Sequence, residues 1–531
     1  MSVLTTRLSA LSTPENQVHL KKIKRGIEKE SLRVTPAGNL AQTPHPKALG
    51  STLTHPSITT DFSESLLEFI TAPSASVDEV LSSLENIHRF TYRNIDDELL
   101  WVNSMPCALG RDDAIPLGQY GSSNIGQMKT AYRRGLGHRY GRRMQTIAGI
   151  HYNWSLPDEC WRLLQCSDND SGSLQAYKTE RYFDLIRNFR RYFWLLLYLF
   201  GAAPVACRSF VTGRDHHLQA VGTDDHSLHL PFATSLRMGD LGYQSSAQDS
   251  LIVCYNNLPS YIKTLRNALT TPYPPYESIG IKDEANNNYR QLSPHLLQIE
   301  NEFYSTIRPK RTATSGETAL QAIWQRGVEY IEVRCVDLNP YLPVGLDAEQ
   351  IHFLDIFLLY CLLEDSPQTD DNEYSQTFEN QRRIVNQGRK PNLTLRHNAH
   401  ERPLQEWANE IFTQLHPIAA ALDKSHNNQA HSNAITSMHE QLENPALTPA
   451  ARLLEEMKST DSTYFQTALR HARQHREYFL DSQLDQATEE HFTHLAAQSL
   501  KEQSTIEAND TLNFDEFLDA YYRQYEFSLE S

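Results

Sequence analysis

The chain has 531 residues, enough for a large buried core and one to three domains, and its 40% apolar and 21% charged content fit an ordinary soluble globular protein. Lys and Arg number 49 against 65 Asp and Glu, a net charge of -16. That balance disfavours bulk nucleic-acid binding and anionic membranes, yet leaves room for a local basic pocket.

Residues 1–14 lack the apolar core of a signal peptide, so a cytoplasmic chain is expected. Residues 26–34, Gly-Ile-Glu-Lys-Glu-Ser-Leu-Arg-Val, read as a β-strand. With a period of two, Glu28 and Glu30 share a face with Leu32 and Val34, so both carboxylates look inward. Two anions side by side under an apolar layer repel each other and lose hydration. A hard metal ion with oxygen ligands is the natural cation between them; a polar strand face in water is the plainer alternative. A turn follows at 36–39, then a loop rich in Thr, Pro and His. Residues 58–70 admit two readings: Asp61 and Glu64 form a helix capping box, or 66–70 is a strand with Glu68 on an inner face.

Ser76 and Glu79 form a clearer capping box, followed by Val77, Val80, Leu81, Leu84 and Ile87 at helical spacing. Residues 132–143 are basic and punctuated by glycine. The gap before Gly141 is one residue too long for a dinucleotide fingerprint and no strand precedes it, so a solvated basic face competes with any functional reading. Residues 146–154 read as a strand on which His151 shares a face with Gly149 and Asn153. Residues 177–200 are helical and rich in aromatics. The most apolar run, 192–207, is too short for a membrane span and reads as a buried helix followed by a strand.

In the loop-like stretch 230–243, Arg237 and Tyr243 are either ligand-facing groups or an ordinary surface pair. The basic cluster 308–311 reads as a cationic loop feeding a helix that Thr314 to Glu317 caps and that ends near Gly327. That makes an anion site or a solvated charge cluster. Residues 328–336 read as a strand with Tyr330, Glu332 and Arg334 on one face. A carboxylate and a guanidinium two residues apart can hold a metal and a phosphate side by side, or merely pair with neighbours on a sheet.

Residues 351–363 read as a core helix, 364–380 as an exposed acidic loop, and the remainder from about 402 as polar amphipathic helix. His471 with His475, and His491 with His494, have chelating spacing but no third ligand, so solvated helix faces are expected. The seven cysteines include no C-x-x-C pair. They read as small apolar residues in a reducing compartment, and a structural zinc site is not expected. Neither a G-x-x-x-x-G-K-[ST] loop, nor H-E-x-x-H, nor G-x-S-x-G occurs. Acidic residues on inner strand faces, with arginines nearby, suit metal-assisted phosphoryl transfer.

With these residues in hand, the chain resembles the bacterial glutamate–cysteine ligases of the γ-proteobacterial type. The resemblance is carried by 26–34, 58–71, Leu117-Gly118-Gln119-Tyr120-Gly121, 145–156, 198–202, 234–243, 297–311 and 329–340, in family order. It implies an α+β fold of glutamine synthetase-like type: an antiparallel β-sheet funnel with surrounding helices and a helical C-terminal extension. It implies an ATP-dependent catalytic domain at 1–400 and a helical region at 401–531 packed on it. The implied metal ligands are Glu28, Glu30, Asp61, Glu68, His151 and Glu332, a set suited to two or three Mg²⁺ or Mn²⁺ ions, with ATP as co-substrate. Arg334, Arg133 and Lys310 would stabilise the transferred phosphoryl group. Arg237 would bind a substrate carboxylate, and Phe62, Tyr132, Leu136, Ile147, Tyr243 and Tyr304 would form the cysteine pocket.

The implied reaction has two steps. The γ-carboxylate of glutamate attacks the γ-phosphate of ATP, giving an acyl phosphate and ADP. The amine of cysteine then displaces phosphate to give γ-glutamylcysteine, the first step of glutathione biosynthesis. Its partners would be these small molecules, with no nucleic acid and no membrane, and the chain would be a monomer. Two alternatives stay open: a ligase of the same fold that accepts another amine, and a non-catalytic metal or nucleotide sensor.

Overall fold

The alternation at 26–34 belongs to a longer strand, β1 (Lys24–Val34), in a computed structural model that describes residues 2–527 except 223, 243–247, 249, 250, 284, 286 and 399. The strands that follow are β2 (Ile58–Thr60), β3 (Leu66–Ile70), β4 (Leu99–Leu100) and β5 (Ile150–Ser155). Next come β6 (Val205–Cys207), β7 (Gln219–Val221), β8 (Asp224–His229), β9 (Ile307–Lys310) and β10 (Tyr330–Val336). The main sheet has seven strands in the order β2-β3-β1-β5-β10-β9, with β4 paired to the end of β1, while β6, β8 and β7 form a separate small sheet. Every pairing in the main sheet is antiparallel. The α+β architecture with an antiparallel sheet is therefore as expected.

Both faces of β1 are covered. One carries Glu28, Glu30, Leu32 and Val34, as the alternation predicts. The other carries three cations, each held by a partner behind the sheet. Arg25 pairs with Asp355 at 2.8 Å, Lys29 Nζ lies 2.8 Å from His88 Nε2, and Arg33 pairs with Glu98 at 2.8 Å. Buried cations without such partners would carry a large desolvation cost.

The helices that supply His88 and Asp355 pack on the back of the sheet, and Glu98 comes from the loop before β4. Val77–Tyr92 buries Val80, Leu84 and Ile87. The Ser76 hydroxyl caps it by accepting from Glu79 N–H, but the Glu79 carboxylate accepts from Ser74 instead of closing the capping box. The helix Ala348–Leu363 is buried along most of its length and starts with a full capping box between Asp347 and Gln350. It packs on Leu174–Tyr192, Leu404–His426 and Ala430–Glu443. The C-terminal helices reach back over the earlier chain: Tyr464–Asp481 packs on Val77–Tyr92, and Phe514–Arg523 on Asn124–Tyr140. No helix among the described residues is long and apolar enough to cross a membrane.

Several expectations need correction. Of the two readings of residues 58–70, the strand one holds: they form the β2–β3 hairpin, where Ile58, Leu66, Leu67 and Phe69 fill core. Residues 307–310 are edge strand β9 rather than a loop, since Arg308 faces Glu332 in register on β10. The following helix is Ala319–Arg326, capped by Thr318 rather than Thr314. Residues 371–387 are helix, not acidic loop, held by Ile384 and Val385 on its buried face. His475 is buried and His471 lies 2.9 Å from Glu456, so that face is not solvated, whereas His491 and His494 are exposed as expected. Cys107 and Cys207 form a disulfide with Cα atoms 5.3 Å apart, a pairing across 100 residues that spacing does not announce. Cys160, Cys335 and Cys361 are buried free thiols, as expected of small apolar residues.

Candidate active site

Strand register brings the acidic residues together. Glu30 faces Glu68 across β1–β3, and Glu28 faces His151 across β1–β5. One strand further, Glu332 faces Asn153 on β5 and Arg308 on β9. Because neighbours in an antiparallel pair point to the same face, five strands deliver their polar side chains into one cavity. Its volume is about 370 Å³. Glu28, Glu30, Asp61, Glu68, His151 and Glu332 all line it. Asp61, in the β2–β3 turn, has 43% of its side-chain surface open.

The contacts are short and directional. His151 Nδ1 lies 3.0 Å from Glu28 Oε2, and Asn153 donates to Glu28 Oε1 at 3.0 Å. Gly149 N–H donates to Glu30 Oε2 at 2.7 Å. Glu332 is held from both sides, by Lys310 Nζ at 3.2 Å and Arg334 Nη1 at 3.1 Å. Donor atoms of Glu28, His151 and Glu332 all lie within 4.8 Å of one another.

Protonation divides the site in two. Burial pushes Glu28 and Glu332 up, but His151 with Lys310, and Lys310 with Arg334, outweigh it and hold both below the usual carboxylate range. On the other side, burial and then the Asp61 charge raise Glu30 to about 8, opposed by Arg237 and Arg334. Burial, with Glu28, Asp61 and Glu30, lifts Glu68 well above its ordinary range. Burial and Arg334 keep His151 low, so its ring is neutral at pH 7.

The donor set fits divalent cations. A neutral imidazole whose Nδ1–H is given to Glu28 keeps a lone pair on Nε2. That atom is buried, makes no hydrogen bond and lies 3.9 Å from Glu30 Oε1. Asp61 and Glu68 crowd the same half as Glu30, and burial beside these anions pushes Glu30 and Glu68 toward protonation. Mostly oxygen ligands suit Mg²⁺ or Mn²⁺.

Of the other expected residues, Arg133, Lys310, Arg334, Tyr132, Leu136, Ile147 and Tyr304 line the cavity. The Arg133 guanidinium stacks over Tyr120 at 4.3 Å and donates to the Asp61 carbonyl. Phe62 is buried behind the wall near Gly137. Arg237 does not reach the cavity surface. It is fully buried, donates to the Arg334 carbonyl at 2.8 Å, pairs with Asp337 at 3.5 Å, and occupies the space that a side chain at Gly149 would need. Tyr243 lies outside the described residues.

Sequence reasoning missed Lys129, Asn301 and Tyr521, all in the cavity wall, while Arg308, part of the basic cluster read as an anion site, lines it as well. Lys129 had a signal: on the helix Asn124–Tyr140 it stands four residues before Arg133, one turn along the same face. Burial, then Arg133, pulls its ammonium down to about 8. Arg308 alternates with Lys310 on β9 and so shares its face. Tyr521, from the last helix, carried no signal.

A family model described as glutamate–cysteine ligase matches residues 8–384. A glutamate–cysteine ligase of Alcanivorax borkumensis is 51% identical over 525 residues, covering 98% of this chain and all of that one. One from Saccharophagus degradans is 50% identical over 98% of each chain. Among solved structures, glutamate–cysteine ligase from Francisella tularensis in complex with AMP superposes with a TM-score of 0.89 at 35% identity, covering 95% of this chain and 98% of that one.

Proposed function

The chain belongs to the glutamate–cysteine ligase family, and from that premise we propose how its residues divide the work. It is an ATP-dependent ligase that joins the γ-carboxylate of L-glutamate to the amine of L-cysteine through a γ-glutamyl phosphate, the first step of glutathione biosynthesis. The observation that carries the assignment of residues is the meeting of Glu28, His151 and Glu332 from three strands at the floor of one cavity.

Glu28, Glu30, Asp61, Glu68, His151 and Glu332 would hold two or three Mg²⁺ or Mn²⁺ ions, which when bound neutralise phosphate oxygens of ATP. Lys310 and Arg334 flank Glu332 and would present their remaining N–H groups to the phosphoryl group in transfer. There they balance the charge that moves onto ADP as the P–O bond breaks. Arg133, braced on Tyr120, would do the same from the opposite wall. The amine of cysteine then attacks the acyl carbon, and phosphate leaves with its bridging oxygen.

Tyr132, Leu136, Ile147 and Tyr304, with Phe62 behind them and Tyr243, would form the cysteine pocket and keep water from the acyl phosphate. From its buried position, Arg237 would steer the substrate carboxylate through Glu30 and the Arg334 backbone. We further read residues 1–400 as the catalytic domain and 401–531 as a helical region packed on it. The protein would be a cytoplasmic monomer with small-molecule partners, free of nucleic acid and membrane.

The test is ADP release with glutamate plus each of a panel of amines. Release is expected to need metal, glutamate and cysteine together. Release with another amine but none with cysteine would overturn the acceptor.

A further inference from the structure

We infer that the chain carries a second metal site, behind the sheet, in which His352, Asp355 and His431 take a zinc-like divalent ion. His352 and Asp355 stand three residues apart on the helix Ala348–Leu363 and so project from one face. His431 comes from the first turn of Ala430–Glu443, packed against it. A donor atom of each lies within 4.8 Å of the other two, and the two imidazole centroids are 4.6 Å apart. Two imidazoles and one carboxylate form a zinc-type donor set that leaves a coordination position for water.

Three details set this cluster apart from an ordinary buried polar group. First, Asp423 Oδ1 lies 3.1 Å from His431 Nδ1 and accepts the His431 backbone N–H at 2.9 Å. That carboxylate holds the proton on Nδ1 and leaves the Nε2 lone pair to a metal, the usual arrangement behind a metal-binding histidine. Second, His352 Nδ1 is buried and makes no hydrogen bond. A buried ring nitrogen without a partner calls for an explanation, and a bound ion supplies one. Third, Asp355 is fully buried and oriented by Arg25 and by the Tyr152 hydroxyl, which donates at 2.8 Å. A carboxylate has roughly four lone-pair positions, and these contacts leave room for a metal.

The site lies outside the reaction. Arg25 is on β1, three residues before Glu28, and Tyr152 is beside His151 on β5. An ion on Asp355 therefore ties the helices at 348–363 and 430–443 to the backs of the two strands that carry the catalytic carboxylates. It would stabilise that frame without touching substrate.

Titration of the full-length protein with Co²⁺, followed by its visible absorption and by Zn²⁺ competition, tests this. With excess Mg²⁺ filling the carboxylate funnel, the wild type is expected to take up about one Co²⁺ per chain with a strong four-coordinate band that Zn²⁺ displaces. His352→Gln with His431→Gln should abolish the band, and Asp423→Asn should weaken binding about 10–100-fold. Glu332→Gln, which disables the carboxylate site, should keep it. Survival of the band without both histidines, or its loss in Glu332→Gln alone, would overturn the inference. If the histidine variants do not fold, anomalous diffraction at the zinc edge from wild-type crystals decides. A peak between His352 and His431 supports the site, and peaks confined to the carboxylate funnel refute it.

Discussion

Glu30 and Glu68 stand directly opposite one another across β1–β3 and both open into the same cavity. Burial and Asp61 raise Glu30 from 4.5 to about 8, so the metal-free folded chain keeps a proton that the unfolded chain releases near 4.5. When the folded state binds more protons, stability falls as pH rises, here between about 4.5 and 8. Urea unfolding of metal-free protein should show that fall, and Glu30→Gln should flatten it. Added Mg²⁺ should offset it at the upper end of the window. A flat profile for the metal-free wild type would contradict the proton held on buried Glu30.

Glu28→Gln and Glu332→Gln each remove one anionic ligand from the cavity floor while keeping its shape and one of the two acceptor oxygens. Both variants should fold normally by circular dichroism and lose at least about 100-fold in ADP release. Lys310→Met should lose a comparable factor in kcat with little change in KM for glutamate or cysteine. Normal turnover in either glutamine variant would defeat the ligand assignment.

On the opposite face of β1, burial pulls Lys29 down to about 7, with Nζ 2.8 Å from His88 Nε2. The unfolded lysine holds its proton to about 10.5, so between these values the unfolded state binds more protons and stability rises with pH. Lys29→Met should abolish that rise in denaturant titrations run from pH 6 to pH 10. The same rise in the variant would assign it to another group.

Arg237 and Asp337 are both fully buried and pair at 3.5 Å. Arg237→Ala leaves Asp337 without its cation and should cost about 3–5 kcal/mol in chemical denaturation. It should also raise KM for an amino acid, while Arg237→Lys restores part of both. An unchanged denaturation midpoint for the alanine variant would contradict the buried pairing.

The inward carboxylates of β1, the His151 strand and the Glu332–Arg334 face were legible because period-two alternation survives in the sequence. Their convergence was not legible. Glu30 opposite Glu68 and Glu28 opposite His151 are registers between distant segments, and only the family resemblance joined them. Strand β9 was hidden by Pro309, which an edge strand tolerates. The helix Asp371–Gln387 was hidden because only a narrow face of it is buried. Arg25, Lys29 and Arg33 look like solvent-facing charges until two helices behind the sheet supply Asp355 and His88 and the loop before β4 supplies Glu98.

The most direct measurement is Mn²⁺ binding by electron paramagnetic resonance in the presence of a non-hydrolysable ATP analogue. The wild type should bind two or three ions per chain, with Glu332→Gln and Glu68→Gln each losing at least one. Equal Mn²⁺ occupancy in the wild type and both variants would contradict the claim that these carboxylates hold the cations against the triphosphate.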